Sequence, residues 1–363
     1  MKTILVIDDY VPYHDKSSGS KRLYEIIKLL RVLGLKVFFL PDDGKLTQPY
    51  AKNLQDLGVE VMHASNKDDL FKLLNDKADT FNYAWISRPA LNARYQQILN
   101  SNTKKIFDTV DLHYVRMLRQ AEKETSKKLA SRAEKTKRLE LKLATFSDAT
   151  ITVTEKEKEI LINEGIENVF VIPNIHASHG NYGQPDFDQR KGILFIGGYK
   201  HDPNIDAARW LVNEIMPGIW EKDPSIFLTL LGSDPTEEIL KFRSSNVFVP
   251  GYVADVSSFF IAHKVFIAPL RYGAGMKGKI GQSLEFGLPV VSTDVGVEGM
   301  DLQDGQNVLV ANTANQFIDK VLLLYNSKVL WQQIRDKSVE AINDYTPESV
   351  TDKLRFLFDK IDD

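Results

Sequence analysis

Short apolar runs recur along the chain, and most are continuous rather than alternating. In the first half they are Ile4–Ile7, Lys36–Leu40, Val59–His63, Tyr83–Ser87, Lys105–Thr109, Thr150–Thr154 and Val169–Ile172. In the second half they are Ile193–Gly197, Phe227–Leu231, Val247–Val249, Val265–Pro269, Pro289–Ser292 and Val308–Val310. Continuous runs suit strands buried on both faces, which belong to parallel sheets. Between them lie segments of helical periodicity such as Ser20–Leu33, Ala207–Trp220 and Asn315–Tyr325. The alternation predicts an α/β protein of doubly wound, Rossmann-like sheets with helices on both faces.

The rhythm pauses over Pro173–Arg190, which is rich in Pro, Gly, Asn and His. This predicts a first domain over 1–175, a linker over 176–190 and a second domain over 191–345. The remainder, 346–363, reads as an amphipathic helix over Pro347–Ile361, expected to pack back toward the first domain. The two domains are expected to face a cleft, and ligands in such sheets bind beyond the carboxyl ends of the strands.

A length of 363 residues suits two domains of roughly 100–200 residues each. A net charge of -3 argues against a nucleic-acid partner. Without cysteine, thiolate metal sites and thiol nucleophiles are excluded. Met1–Asp9 reads as a buried strand rather than a signal peptide, and no apolar run approaches the roughly 20 residues that span a bilayer. A cytoplasmic protein is expected, with a peripheral place at the inner face of the plasma membrane open to it. That opening comes from Val115–Ala144, a helical pattern without Gly or Pro. It carries Arg116, Arg119, Lys123, Lys127, Lys128, Arg132, Lys135, Lys137, Arg138 and Lys142 against Glu122, Glu124, Glu134 and Glu140. It is either a solvated helix face or a contact for an anionic acceptor or membrane surface.

The chemistry concentrates in Pro269–Val291, which reads as strand end, glycine-rich turn, helix from about Met276 to Phe286, glycine stop and strand. Gly273 and Gly275 let backbone approach an anion, and the helix start offers free N–H groups. Arg271, Lys277 and Lys279 add charge, as a diphosphate requires. Lys277 and Lys279 lie about 200° apart on an ideal helix, so both reach one phosphate only if Lys277 is still in the loop. The other reading is a structural turn with surface lysines. Neither a Walker loop nor a G-x-G-x-x-G fingerprint occurs.

"PLRYGAGMKGKIGQSLEFGLPVVST" resembles the donor-binding segment of the retaining GT-B glycosyltransferases, the glycosyl transferases group 1 family. Four further stretches look like that group: "ILVIDDYVPYHDKSSGSKRLYEIIKLLRVLGLKVFFLPDD" at Ile4–Asp43, "FDTVDLHYVR" at Phe107–Arg116, "ILFIGGYKHDPNIDAARWLVNEIMP" at Ile193–Pro217 and "NVFVPGYVADVSSFF" at Asn246–Phe260. Within the family they are most similar to bacterial enzymes of O-antigen and surface-polysaccharide assembly. The resemblance implies a GT-B architecture with an amino-terminal acceptor domain and a carboxyl-terminal nucleotide-sugar domain. It also implies transfer of a hexosyl or deoxyhexosyl unit, with retention, to a glycan or lipid-linked acceptor.

Site roles follow from it by position. Gly19 would let backbone reach the donor phosphate or the acceptor, unless Ser17 or Ser18 is simply a helix N-cap. Asp111 and His113 are the polar candidates beside the reacting sugar, and Arg271 and Lys279 the cations on the leaving diphosphate. Gly198 and Asn204 stand where many relatives carry an Arg and a Lys, so the phosphate charge must come from Arg271, Lys277 and Lys279. His201 and Asn204 can still hydrogen-bond the donor. Gly251, Tyr252 and Val253 resemble the place where the base packs, or are a strand-end turn. Of two family glutamates eight positions apart, the second maps to Gln282, which can serve ribose hydroxyls, and the first to Ala274, which cannot serve as a carboxylate. Glu298 is a donor or acceptor contact, or a surface turn.

Cations and a helix start can neutralise a departing diphosphate without metal, so no metal and no cofactor beyond the nucleotide sugar is expected. The pairs Asp8-Asp9 and Asp42-Asp43 read as strand-end caps rather than metal ligands. Two further readings stay open: a sugar-nucleotide epimerase on the same architecture, and a noncatalytic nucleotide-binding module.

Overall fold

The computed structural model describes residues 1–177 and 185–363. The chain forms two compact units, Met1–Ile175 with Pro347–Asp363, and His176–Thr346. Each of the thirteen apolar runs is a strand. They are β1 (Thr3–Asp8), β2 (Lys36–Pro41), β3 (Glu60–Val61), β4 (Tyr83–Ser87), β5 (Lys104–Asp108), β6 (Ala149–Thr152) and β7 (Val169–Val171), then β8 (Ile193–Ile196), β9 (Leu228–Leu231), β10 (Val247–Gly251), β11 (Val265–Ala268), β12 (Val290–Ser292) and β13 (Leu309–Val310).

In the first unit the strands are ordered β3-β2-β1-β4-β5-β6-β7, all parallel. The order reverses between β1 and β4. Alternate residues of one strand serve opposite faces, which explains why the runs are continuous. Ile4 and Val6 join a core with Leu23, Ile26 and Ile27, while Leu5 and Ile7 join another with Leu70, Leu74 and Tyr95. The closing helix, Pro347–Asp362, places Val350, Leu354, Leu357, Phe358 and Ile361 in the first of these cores.

The second unit repeats the scheme with β10-β9-β8-β11-β12-β13, again parallel, and reverses between β8 and β11. Both described ends of the 176–190 segment pack within this unit; residues 178–184 lie outside the described part. The His176 N–H donates to the Tyr345 carbonyl at 2.8 Å, and its Nδ1 lies 2.5 Å from Glu285 Oε1. Gly281 leaves room for that ring, since a Cβ there would stand 2.2 Å from His176 Nε2. Phe187 packs edge-on against Trp331, and Arg190 is buried with Nη1 donating to the Phe260 carbonyl at 2.9 Å.

Two helix readings are corrected. The basic stretch is not one helix: it is His113–Glu124 followed by Lys127–Thr145. Thr125 takes the left-handed conformation (φ 52°), and Ser126 caps the next helix by accepting from Leu129 N–H. The local capping preference of Ser outweighs an unbroken charged pattern. The helix of the glycine-rich segment starts at Gly278, not Met276, and ends at Glu285.

Leu354 has no exposed surface, so Leu354→Ala should cost about 2–5 kcal/mol of stability. Urea unfolding of the full chain checks this; an unchanged midpoint would show that the closing helix contributes nothing to the first core.

Candidate functional site

In the first unit, Asp8, Ser87 and Asp108 end adjacent strands at one sheet edge. The loops that follow converge there. Arg88 lies in the left-handed region (φ 67°), as does the β-branched Val110 (φ 65°). Such conformations carry strain and cluster where function demands them. A Cβ on Gly19 would be 3.6 Å from Val110 and 4.0 Å from the Arg88 guanidinium, so the three loops meet. Ser17 does cap the Ser18–Val32 helix, accepting from Ser20 N–H at 3.2 Å, so the cap and the close approach of Gly19 coexist.

Arg88 Nε sits 3.0 Å from Asp8 Oδ1 and 3.1 Å from Asp9 Oδ2. The acidic pair is therefore an arginine clasp across the β1/β4 reversal, not a strand-end cap. Burial pushes the Asp8 carboxyl up from its ordinary value, against the pull of Arg88. Asp42, of the other pair, binds Arg94, Lys67 and Tyr95. Beneath the clasp, Asp108 accepts from Arg22 Nη1 at 2.7 Å and Trp85 Nε1 at 2.9 Å. Tyr10 and Tyr13 stack at 4.7 Å in the loop after β1.

Asp111 and His113 come together: His113 Nε2 is 3.1 Å and Arg116 Nε 2.9 Å from the Asp111 carboxylate. Burial alone would raise the Asp111 carboxyl, but its contacts with His113 and the Arg116 guanidinium hold it well below the carboxylate range. Glu140, from the following helix, accepts from the His113 and Tyr114 N–H groups at 3.0 Å each and so holds the helix start that carries His113. Burial pushes Glu140 up to about 7.

In the second unit the loops after β8, β9 and β10 lie side by side. The Gly232 N–H donates to the Gly251 carbonyl at 3.1 Å, and a Cβ on Gly232 would lie 1.9 Å from the Gly197 carbonyl oxygen. Tyr252 and Val253 follow Gly251, with the Tyr252 ring largely exposed. Asn204 Nδ2 donates to the Gly198 carbonyl at 2.8 Å, while His201 is exposed at the helix start. Lys279 Nζ donates to Asn204 Oδ1 at 2.5 Å, across the β8/β11 reversal. Gln282, half-buried, lies one turn further along the same helix.

The three cations are not equivalent, which corrects the picture of three unneutralised charges. Arg271 makes a two-pronged pair with Asp206, at 3.0 and 2.6 Å, and its guanidinium lies 5.2 Å from the centre of the Trp210 ring. Lys277 is in the loop, as two lysines on one phosphate would require, but its Nζ turns back to the Gly275 carbonyl at 2.6 Å and lies 3.9 Å from Glu298. The Lys277 side chain is buried and that of Glu298 is mostly covered, with 12% exposed. Gly273 (φ 153°) and Gly275 (φ 66°) give the loop its path around this lysine. Lys279 alone has no carboxylate partner among the described residues. Burial, with Lys277 nearby, pushes its ammonium down to about 7. The helix it stands on has no side-chain cap at its start.

Sequence reasoning missed Arg88, Glu140 and Asp206. Arg88 had one signal, an Arg-Pro step directly after a strand. Asp206 and Glu140 looked like ordinary helix charges.

Residues 190–327 match the family model for glycosyl transferases group 1. The second unit contains a glycosyl transferases group 1 domain. That domain carries every donor-side candidate from Gly198 to Glu298. A 44.6 kDa uncharacterized protein in the cps region of Klebsiella pneumoniae is 26% identical over 139 residues, which is 36% of this chain and 36% of that protein. Among solved structures, S. aureus TarM, in complex with fondaparinux, α-GlcNAc-glycerol and UDP, aligns with 99% of this chain and 100% of its own at a TM-score of 0.76 and 14% identity. Anabaena HepE, in complex with UDP-glucose, aligns at 0.73 and 12% identity, covering 99% and 100%. Sucrose-phosphate synthase from Thermosynechococcus elongatus gives 0.73 and 12%, covering 99% of each chain. The group 1 domain thus belongs to a chain with the GT-B fold.

Lys279 has a native pKa below the ordinary 10.5 of an exposed lysine. Between about 7 and 10.5 the unfolded chain binds the extra proton, so this group makes stability rise with pH across that window. Below it, the full cost of the buried charge is present. Lys279→Met should therefore stabilise the protein most at pH 6, with the gain shrinking toward pH 10, as urea midpoints of variant and wild type compared at each pH would record. A pH-independent difference would remove Lys279 from the set of desolvated cations.

Proposed function

We propose that this chain is a retaining glycosyltransferase of bacterial surface-polysaccharide assembly. It would move a hexosyl or deoxyhexosyl unit from a nucleotide-diphosphate sugar to a glycan or lipid-linked acceptor. The observation that carries this reading is Lys279: a half-buried ammonium, lacking a carboxylate, at the uncapped start of a helix and at the strand-order reversal of a group 1 domain. Two positive potentials of that kind oppose each other until a dianion arrives, and the diphosphate of a nucleotide sugar is one.

As the glycosidic bond breaks, negative charge grows on the diphosphate while the sugar becomes oxocarbenium-like. A prearranged cation that gains its full charge on binding stabilises that state more than the ground state. Lys279 takes this role, with Arg271 held in place by Asp206 and Trp210. Lys277 shapes the loop, Gln282 serves the ribose, and Gly251–Val253 the base. No divalent cation is assigned a step.

The first unit supports the acceptor role through a different kind of site. Its charges are balanced by clasps, and the stacked Tyr10 and Tyr13 suit the apolar face of a sugar ring. Asp111 and His113 are assigned to the reacting sugar, and Arg88 to positioning the loop that meets Gly19. The cps-region setting of the Klebsiella relative and the UDP ligands of TarM and HepE support the substrate class.

Calorimetry with UDP at pH 8 should show uptake of a proton, seen as an enthalpy that depends on the buffer's ionisation heat. Lys279→Met should abolish that dependence. Lys279→Ala or Arg271→Ala should lower turnover about 100-fold or more, the scale for removing one preorganised charge stabiliser. Full activity in both variants would sink the assignment. His113→Ala should lower turnover with nucleotide binding unchanged, and EDTA should leave activity intact.

A further inference from the structure

The Lys127–Thr145 helix presents a face that neither the core nor the proposed chemistry uses. At about 100° per residue, Lys128, Arg132, Lys135, Leu139 and Lys142 fall within an arc of roughly 80°, and Phe146, just past the last turn, continues their line. All six are exposed, Leu139 by 37% and Phe146 by 65%. No acid lies in that arc. Of the helix's glutamates, Glu134 stands on the flank and pairs with Arg138 at 3.3 Å, and Glu140 is buried under the neighbouring helix start. Lys128, Arg132, Lys135 and Lys142 have no carboxylate partner among the described residues. The other face is anchored by Ala133, Leu143 and Ala144.

A merely solvated helix face mixes signs and stabilises itself through i,i+4 pairs. This one carries only cations among its charged groups over about 21 Å and sets a leucine and a phenylalanine on the same line. That combination suits an interface where anionic headgroups meet acyl chains: cations seek the phosphates, and the apolar side chains enter between them. We infer that the Lys128–Phe146 face docks on an anionic lipid surface, with Leu139 and Phe146 inserted and the four cations in the headgroup layer. The inference gives the proposed lipid-linked acceptor a physical route to the enzyme. It does not depend on which nucleotide sugar is used, so its failure leaves the glycosyltransferase reading standing.

The test is sedimentation of the full chain with vesicles of phosphatidylcholine alone and of phosphatidylcholine with about a third phosphatidylglycerol. Binding is expected to the anionic vesicles only, weakening from 0.05 to 0.5 M salt as screening predicts. Changing Lys128, Arg132, Lys135 and Lys142 together to Gln should lower that binding roughly 100-fold or more. The same loss of charge elsewhere, at Lys52, Lys222, Lys328 and Lys337, should lower it far less. Leu139→Ser with Phe146→Ser should weaken binding while leaving its salt dependence. UDP binding measured in solution should be the same for all these proteins, which also certifies their folding. Equal binding to both vesicle types, none to either, or an equal loss in the control variant would overturn the proposal. Absent vesicle binding alongside salt-sensitive capture of an acidic protein would reassign the face to a protein partner.

Discussion

Each unit carries one polar contact that spans the point where its strand order reverses, and the two contacts differ in a single respect: whether the cation is matched. In the first unit Arg88 lies between two carboxylates. In the second, Lys279 meets the amide oxygen of Asn204 and the face of the Phe195 ring, with no carboxylate partner among the described residues. A half-buried cation facing a neutral dipole, at the positive end of a helix, carries an electrostatic cost that the fold alone does not offset. Loss of the proton as the pH rises through about 7 would relieve it, and so would a bound anion. The proposed chemistry on the donor side depends on this mismatch.

The balanced site supports the opposite inference. Asp8 and Asp9 with Arg88, Asp108 with Arg22, and Asp111 with His113 and Arg116 leave little net field to attract an anion. What they provide is rigidity, enough to hold Arg88 and Val110 in backbone conformations that non-glycine residues avoid. Rigid, without surplus positive charge and with stacked tyrosines in the loop after β1, such a site suits hydroxyl-rich ligands. On the proposed function, the two sites would divide the labour by charge: one for the group that leaves as an anion, one for the group that arrives neutral.

Legibility in the sequence followed the range of the interaction. Strands were readable because burial on both faces writes continuous apolar runs, and all thirteen runs are strands. The glycine-rich turn and its helix were readable because backbone approach demands glycine locally. The break at Thr125 was missed because a single Ser cap decides it against thirty residues of uninterrupted pattern. The clasp of Arg88 was hidden because its partners lie some eighty positions away and its left-handed backbone leaves no mark on residue type. Asp206 was hidden for the same reason: nothing in a helix charge at that position announces an arginine from the loop after β11.

The pairing of Lys277 with Glu298 bears on the departure at Ala274. Relatives' missing carboxylate has no replacement in the turn itself, and Glu298 is the acid that comes to the turn from elsewhere in the sequence. Its side chain is nearly buried and stands 3.9 Å from Lys277, whose own ammonium is tied to the Gly275 carbonyl. A carboxylate so placed helps to hold the lysine turned back on its own loop. Were Lys277 released, two ammonium groups would compete near one helix start, and the proton on Lys279 would be harder still to keep. On the proposed function, Glu298 would restrain Lys277 and leave Lys279 and Arg271 as the cations for the donor, and any contact it makes with a sugar would come at the expense of that restraint.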